Sequence, residues 1–296
     1  MKILVTNNTL ANLGGSETYA YTLIRELASR KELNVDCFSK NIGLVGKTLK
    51  SEGYNVITSV KDSYDLILAS HTSTIPSIIN NNGYKIQTCH GIYPSLEQPA
   101  KGMDSYVSIS EEVEKHLTKL RFKSTIIHNG INCDRFKPIK PINKNIKSIL
   151  SLAQSDVLNN KIRKVCDKMG IKLYCLNKFK NPIFNVENMI NEVDMVISLG
   201  RGAYESMACG RNVMILDKRP YINKPPLGDG LLTEDNISDI IKNNCSGRFS
   251  NTIYDENMIE KEIMKYDSKL GDFCREYALN SLNIKYQVDK YLKLKV

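Results

Sequence analysis

The chain has 296 residues, with 41 lysines and arginines against 32 aspartates and glutamates, giving a net charge of +9. That length holds one large or two medium domains, and the ordinary charged and apolar content fits a soluble globular protein. No apolar run approaches the ~20 residues that cross a bilayer, and the eight cysteines lack the spacings of a zinc site or a disulfide framework.

The start, MKILVTNNT, is too short and too β-like for a signal peptide and reads as a strand. Cys37, Cys89 and Cys175 lie in or at the end of apolar strands and are expected as buried thiols, in a reducing cytoplasm. The positive charge suits an acidic partner: a nucleotide-sugar, an anionic membrane surface or nucleic acid. Without tryptophan, stacking on nucleic acid would fall to tyrosine and phenylalanine.

Taken in order, KILVT (2–6) is the first strand, continuous and apolar. A glycine loop follows, then a helix over about 16–29. Ser16 is its expected N-cap, and Tyr19, Leu23, Ile24 and Leu27 recur at helical spacing. NVDCFS (34–39), DLILAS (65–70), KIQTC (85–89) and SYVSIS (105–110) are further strands, with helical stretches between them. Ser110 caps a helix over 111–120, and STIIHNG (124–130) closes the half, His128 and Asn129 shaping the turn. KPIKPINKN (137–145) holds two prolines and no period, and reads as an interdomain linker.

The second series runs SILSLA (148–153), a helix over about 160–169, KLYCL (172–176), a helix near 185–191, MVIS (195–198), a short helix over 203–209 and VMILD (213–217). The tail from about 234 is helical, and its last piece, 273–294, is long enough to reach back across the linker. The expected layout is a Rossmann-like domain over 1–137, a linker over 138–146, a second over 147–272, and a C-terminal helix over 273–296 packing on the first. Two α/β halves with parallel sheets predict a ligand cleft between them.

The segment GRGAYESMACG (200–210) stands between the strands MVIS and VMILD, which makes a right-handed βαβ crossover. The helix N-terminus then sits at the carboxyl end of a strand, where free N–H groups and the dipole favour an anion and glycine lets a ligand come close. Glu205 is expected in the first turn, facing the same mouth. An acid beside an anion site makes sense for a ligand with both a phosphate and a sugar, such as a nucleotide. The alternative is that Glu205 is only an acid favoured by the helix dipole.

Four segments in this order carry a resemblance: LANLGGSETYAYTLIREL, QTCHGIYP, HNGINCDRFKP and GRGAYESMACGRNVMI. Together they resemble the retaining GT-B glycosyltransferases of the glycosyl transferases group 1 type, with GDGLLTEDN and NNCSGR resembling a compact subgroup. The resemblance implies two Rossmann-like domains in a GT-B fold and transfer of a sugar from a nucleotide-diphosphate sugar to an acceptor hydroxyl, with retention. It implies donor-diphosphate contacts from Gly14, Gly15, Gly202 and Ala203, and a ribose-binding Glu205. His90 and Glu205 are the expected catalytic residues. His71, Ser70 and Asp229 are candidates for acceptor or sugar contact, although Asp229 between two glycines also reads as a tight turn.

The chain departs from the family pattern in two places. The family's two glutamates are spaced E-x7-E, and the earlier position here is Ile197. The basic pair that meets the diphosphate has no clean match after SLAQSD, leaving Lys161, Arg163, Arg201 and Arg211 as substitutes. No DxD-type pair appears, so no metal and no cofactor beyond the nucleotide sugar is expected. The expected acceptor is a glycan or lipid-linked saccharide, reached from the cytoplasm at the inner face of an anionic membrane, with a modified DNA base ranked below it. A nucleotide-sugar epimerase and a non-catalytic nucleotide-sugar binder are the rival functions.

Overall fold

The computed structural model describes residues 1–61, 63–180, 182–218 and 225–295. The chain divides into two compact units, Met1–Gly130 with Ile284–Val296, and Ile131–Asn283.

Unit 1 is built on one sheet. Its strands are β1 (Lys2–Thr6), β2 (Asn34–Phe38), β3 (Asn55–Ile57), β4 (Leu66–Ala69), β5 (Tyr84–Cys89), β6 (Ser105–Ser108) and β7 (Thr125–Ile126). Their order is β3-β2-β1-β4-β5-β6-β7, and every neighbouring pair is parallel. Parallel strands need long crossovers, and α1 (Gly15–Ala28), α2 (Leu44–Ser51) and α3 (Glu111–Lys119) supply three of them. β1 and β4 are covered on both faces, so Ile3, Leu4, Val5, Leu66 and Ile67 are all buried and the strands read as unbroken apolar runs.

The chain lays β2 and β3 to one side of β1 and β4 to β7 to the other. The carboxyl ends of β1 and β4 are therefore the topological switch point, where open α/β sheets take ligands. Ser110 caps α3 as expected, accepting from the Val113 N–H. The cap of α1 is Gly14, not Ser16: the Thr18 N–H donates to the Gly14 carbonyl at 3.0 Å. The Ser16 hydroxyl donates instead to Glu17, at 2.9 Å.

Unit 2 carries β8 (Ser148–Ser151), β9 (Lys172–Cys175), β10 (Met195–Ser198), β11 (Asn212–Asp217), β12 (Leu227–Leu231) and β13 (Thr252–Ile253), in the order β13-β12-β11-β10-β8-β9. Its helices are α4 (Asp156–Met169), α5 (Val186–Asn191), α6 (Arg201–Ala208), α7 (Ile237–Lys242), α8 (Glu256–Ile263) and α9 (Lys269–Tyr277). Strand alternation splits the core. Leu150, Val196, Val213 and Ile215 pack with α6 and α7, while Ile149, Met195, Ile197, Met214 and Leu216 pack with α4 and α8.

This sheet is mixed. β12 runs antiparallel to β11, and β13 antiparallel to β12. Asp229 therefore lies inside a strand and not in the expected turn, with a register shift between Ile215 and Leu216 absorbing the glycine-rich partner.

The proline segment is fastened to unit 2. The Ile139 N–H donates to Asn191, Lys140 O accepts from Arg211, and the Asn143, Lys147 and Ser148 N–H groups converge on the Asp194 carboxylate. Those bonds hold Asp194 below its usual carboxylate range against the opposing effect of burial. The chain passes between units at Gly130 and Ile131, ahead of the prolines.

The tail is likewise not one helix. α9 runs into a π turn over Ala278–Leu282, and Asn283 is extended at φ −63° and ψ 127°. Only α10 (Ile284–Lys293), which follows it, belongs to unit 1, where it packs on α1. The Tyr19 hydroxyl donates to Tyr291 at 2.8 Å, and Thr88 Oγ1 lies 2.8 Å from the same oxygen. Gly130 is required there, since a Cβ would come within 2.8 Å of Ile284 Cα. No helix among the described residues is long and apolar enough to cross a membrane.

Candidate functional site

Each unit presents a candidate site at its own switch point. In unit 2 the switch falls between β8 and β10, and α6 starts there. Gly200 has φ 54° and ψ −125°, a conformation open to glycine. It lets the helix begin at Arg201, two residues earlier than the sequence predicts. Glu205 is therefore in the second turn of α6, not the first.

Gly202 packs against the strand ends: a Cβ would lie 2.4 Å from Ser198 Oγ and 3.2 Å from Leu152 Cδ1. The Ala203 N–H donates to the Gly200 carbonyl at 3.0 Å. Arg201 and Gly202, as the first helical residues, have no turn of helix behind them to accept their N–H groups.

A loop from the later NNCSGR motif closes one side. Gly200 N–H donates to the Cys245 carbonyl at 2.9 Å. Asn244 and Cys245, at φ 54° and 46°, are consecutive left-handed residues without being glycine, the kind of backbone strain that gathers at functional sites.

Charge at this site comes as two ion pairs. Arg201 Nε stands 2.9 Å from Glu205 Oε1, with side chains only 8% and 10% exposed. Arg135 is bidentate to Glu187 of α5, both contacts at 2.9 Å, and donates to the Phe184 carbonyl at 2.7 Å. Burial pushes the Glu205 carboxyl up, while Arg201 and then Arg135 draw it down. Arg135 and Glu187 were not expected from the sequence; they meet across 52 residues, and only the DRF of HNGINCDRFKP marks one of them.

The other basic candidates are on other elements. Lys161 and Arg163 are on α4, and Arg163 lines a pocket of ≈ 550 Å³ with Asp156, Asn159, Asn160, Cys175, Asn177 and Lys180, none of them on α6. Arg211 is 1% exposed at the amino end of β11, spent on Lys140 O and Asn191 Oδ1. Ile197 is fully buried in the α4 face of the sheet, so no carboxylate stands at the earlier E-x7-E position. Asp229 organises the loop after Gly247, accepting from the Ser250 N–H at 2.8 Å. Burial raises its pKa. Among the described residues no group of three or more His, Cys, Asp or Glu could hold a metal ion.

In unit 1 the switch point gathers His71 and Ser70 from the end of β4, His90 from the end of β5, and the loop into α1. Gly14 is crowded: a Cβ would meet Glu17 Oε2 at 2.3 Å, whereas Gly15 faces open space. Glu17 is itself buried beside this glycine pair. Its carboxylate disfavours an anion at Gly14 and suits hydroxyl groups.

His71 is 5% exposed, and burial pushes its pKa down to about 4. Its Nδ1 accepts from the Asn8 N–H at 3.2 Å, so in the neutral ring Nε2 carries the proton. The His90 ring stands edge-on to Tyr19 at 4.7 Å, with the His71 ring 6.4 Å away. Ser70 is buried beside them.

No family model and no curated protein matches this sequence. Solved structures do. The chain is similar to a glycosyltransferase from Rickettsia africae ESF-5, at 15% identity and TM-score 0.65 over 99% of this chain and 97% of that one. It is similar to HepE of Anabaena in complex with UDP and glucose, at 11% identity and TM-score 0.67 over 99% of each chain. A third is an alpha-glucosyltransferase in complex with UDP and a 13-mer DNA containing an HMU base, at 12% identity and TM-score 0.60 over 100% and 99%. The chain therefore has the α/β fold of the GT-B glycosyltransferases.

Proposed function

We propose that the protein is a glycosyltransferase that takes a sugar from a nucleotide-diphosphate sugar and passes it to an acceptor hydroxyl. One observation carries the reading: the N-terminus of α6 brings Gly200, Arg201, Gly202 and Glu205 together at the unit 2 switch point. A helix dipole and a guanidinium suit a diphosphate, and a carboxylate suits the hydroxyls of a ribose. A nucleotide offers both. The UDP in structures of like fold supports the same class of ligand.

In the proposed reaction the bond from the anomeric carbon to the diphosphate oxygen breaks. The acceptor oxygen bonds to that carbon, and its proton passes to the departing diphosphate. Arg201 and the first N–H groups of α6 stabilise the growing negative charge. At the unit 1 switch point, His90 and the neutral His71, with its proton on Nε2, offer ring N–H donors to hydroxyl oxygens. Retention at the anomeric carbon, operation without a metal, and a glycan or lipid-linked saccharide as acceptor complete the proposal.

A thermal-shift panel of UDP-, GDP-, ADP-, CMP- and dTDP-sugars tests it. A donor at 100-fold over its Kd adds about 2.7 kcal/mol of stability. One nucleotide class should shift the protein, and Glu205→Ala should lose the shift. No shift with any of the five ends the reading. Donor conversion in buffer without acceptor would replace transfer by epimerisation, and labelled sugar appearing on duplex DNA would replace the glycan acceptor.

A further inference from the structure

We propose that Glu17 makes unit 1 take uncharged saccharide hydroxyls and refuse anionic saccharides, so that the acceptor is neutral where it meets this site. The proposal rests on the transferase reading above and names the class of acceptor.

Glu17 is 8% exposed, and charged groups that far from water are normally paired. Among the described residues it makes no ion pair, and the one hydrogen bond it accepts runs from the Ser16 hydroxyl to Oε2. Oε1 has no partner among them. As the third residue of α1, Glu17 stands where a capping-box acid accepts the N–H of the cap residue. Its carboxylate does lie against Gly14, the cap, yet no bond from the Gly14 N–H forms. The helix dipole favours an acid at this end, but that does not account for one that is buried with half of its acceptor capacity unused.

The neighbouring groups complete a site for hydroxyls. Asn7 and Asn8 directly follow β1. The Asn7 side chain donates to the Ser16 carbonyl at 2.8 Å, which ties the start of α1 to the end of β1. Asn8 donates its N–H to His71 Nδ1 at 3.2 Å and accepts from the Ser73 hydroxyl at 2.6 Å. Two consecutive residues thus fasten the turn that carries Glu17 and the ring that carries the Nε2–H donor. A carboxylate accepts from adjacent hydroxyls and donates nothing, while an imidazole N–H donates to a hydroxyl oxygen. Burial keeps His71 neutral, with its pKa down to about 4, so the ring brings no positive charge to offset Glu17. A carboxylate or phosphate on the sugar would meet a like charge with little water to screen it.

Ring spectra of the full chain with labelled histidine test this. The chain has four histidines, and His71→Asn identifies the His71 signal. The probes are methyl glucoside, methyl mannoside and methyl galactoside, each titrated beside the matching methyl uronoside. In wild type at least one neutral sugar should move the His71 signal, and its uronoside should bind about tenfold more weakly or worse. Glu17→Gln keeps the size and removes the charge. It should weaken the neutral sugar about tenfold, the range for losing a hydrogen bond to a charged group, and should tighten the uronoside. Glu17→Asp keeps the charge and should go on refusing the uronoside, which separates charge from shape. A damaged fold weakens both sugars of a pair and cannot reverse their order. Equal binding of the two to wild type, or an unchanged preference in Glu17→Gln, makes Glu17 a structural acid and overturns the proposal. A His71 signal that no sugar moves overturns it as well. None of these results touches the donor reading, which stands or falls on the nucleotide-sugar panel and Glu205.

Discussion

His71 shows how one buried side chain links pH to stability. Its pKa falls from 6.5 to about 4 through burial, so between those values the unfolded chain binds a proton that the folded protein refuses. Stability is fully present above pH 6.5, declines as pH drops, and stops declining on this account below about 4. The whole window amounts to roughly 3 kcal/mol at 1.36 kcal/mol per pKa unit. Urea midpoints at pH 7, 5.5 and 4 should fall steeply for wild type and less so for His71→Asn. Equal slopes would show that His71 takes up its proton as readily in the folded protein as in the unfolded chain. The position of this histidine was legible, because the apolar run of β4 fixes where the strand stops. Arg135 and Glu187 were not, since nothing local relates residues that meet only through packing. Arg201 and Glu205 do have the telltale i,i+4 spacing, but it becomes meaningful only once the helix is known to start at 201.

Among the elements, the glycines around the two helix starts divide into those the fold needs and those it leaves open. Gly200 has a backbone that other residues adopt at a cost of about 1–3 kcal/mol. Gly15 has nothing within 4 Å of a would-be Cβ, and alanine suits a helix better. Gly200→Ala should therefore lower Tm by several degrees, while Gly15→Ala should leave it unchanged or raise it. If a ligand phosphate approaches the Gly15 backbone, Gly15→Ala will weaken donor binding with Tm intact; unchanged binding would remove Gly15 from the diphosphate contacts. Most strands and helices were readable from apolar runs and periodicity. The antiparallel β12 was not, because two glycines in LGDGL look like a turn and its pairing is set by β11. The proline segment looked like a free linker for a related reason: Asn191, Asp194 and Arg211, which satisfy its backbone, lie some fifty residues downstream or more.

At the scale of the molecule, unit 1 is a discontinuous assembly whose last helix arrives from the far end of the chain. Tyr291 joins α1 and β5 through two hydrogen bonds of 2.8 Å in a buried setting. Tyr291→Phe leaves the Tyr19 and Thr88 hydroxyls to find other partners and should cost about 1–3 kcal/mol. Hydrogen exchange should quicken in α1 and β5 and stay unchanged through β8 to β11. An equal effect in both units would mean that they unfold as one.

The same discontinuity sets an order of events during synthesis. Unit 2 is a continuous stretch, complete once Asn283 has left the ribosome. Unit 1 is begun first yet waits for α10, with the face of α1 that carries Tyr19 uncovered. At the usual pace of translation, the chain beyond Gly130 takes roughly ten to thirty seconds to make. The N-terminal unit of this protein is thus the last to be finished, and for that interval its apolar α1 surface is what the cell's chaperones would meet.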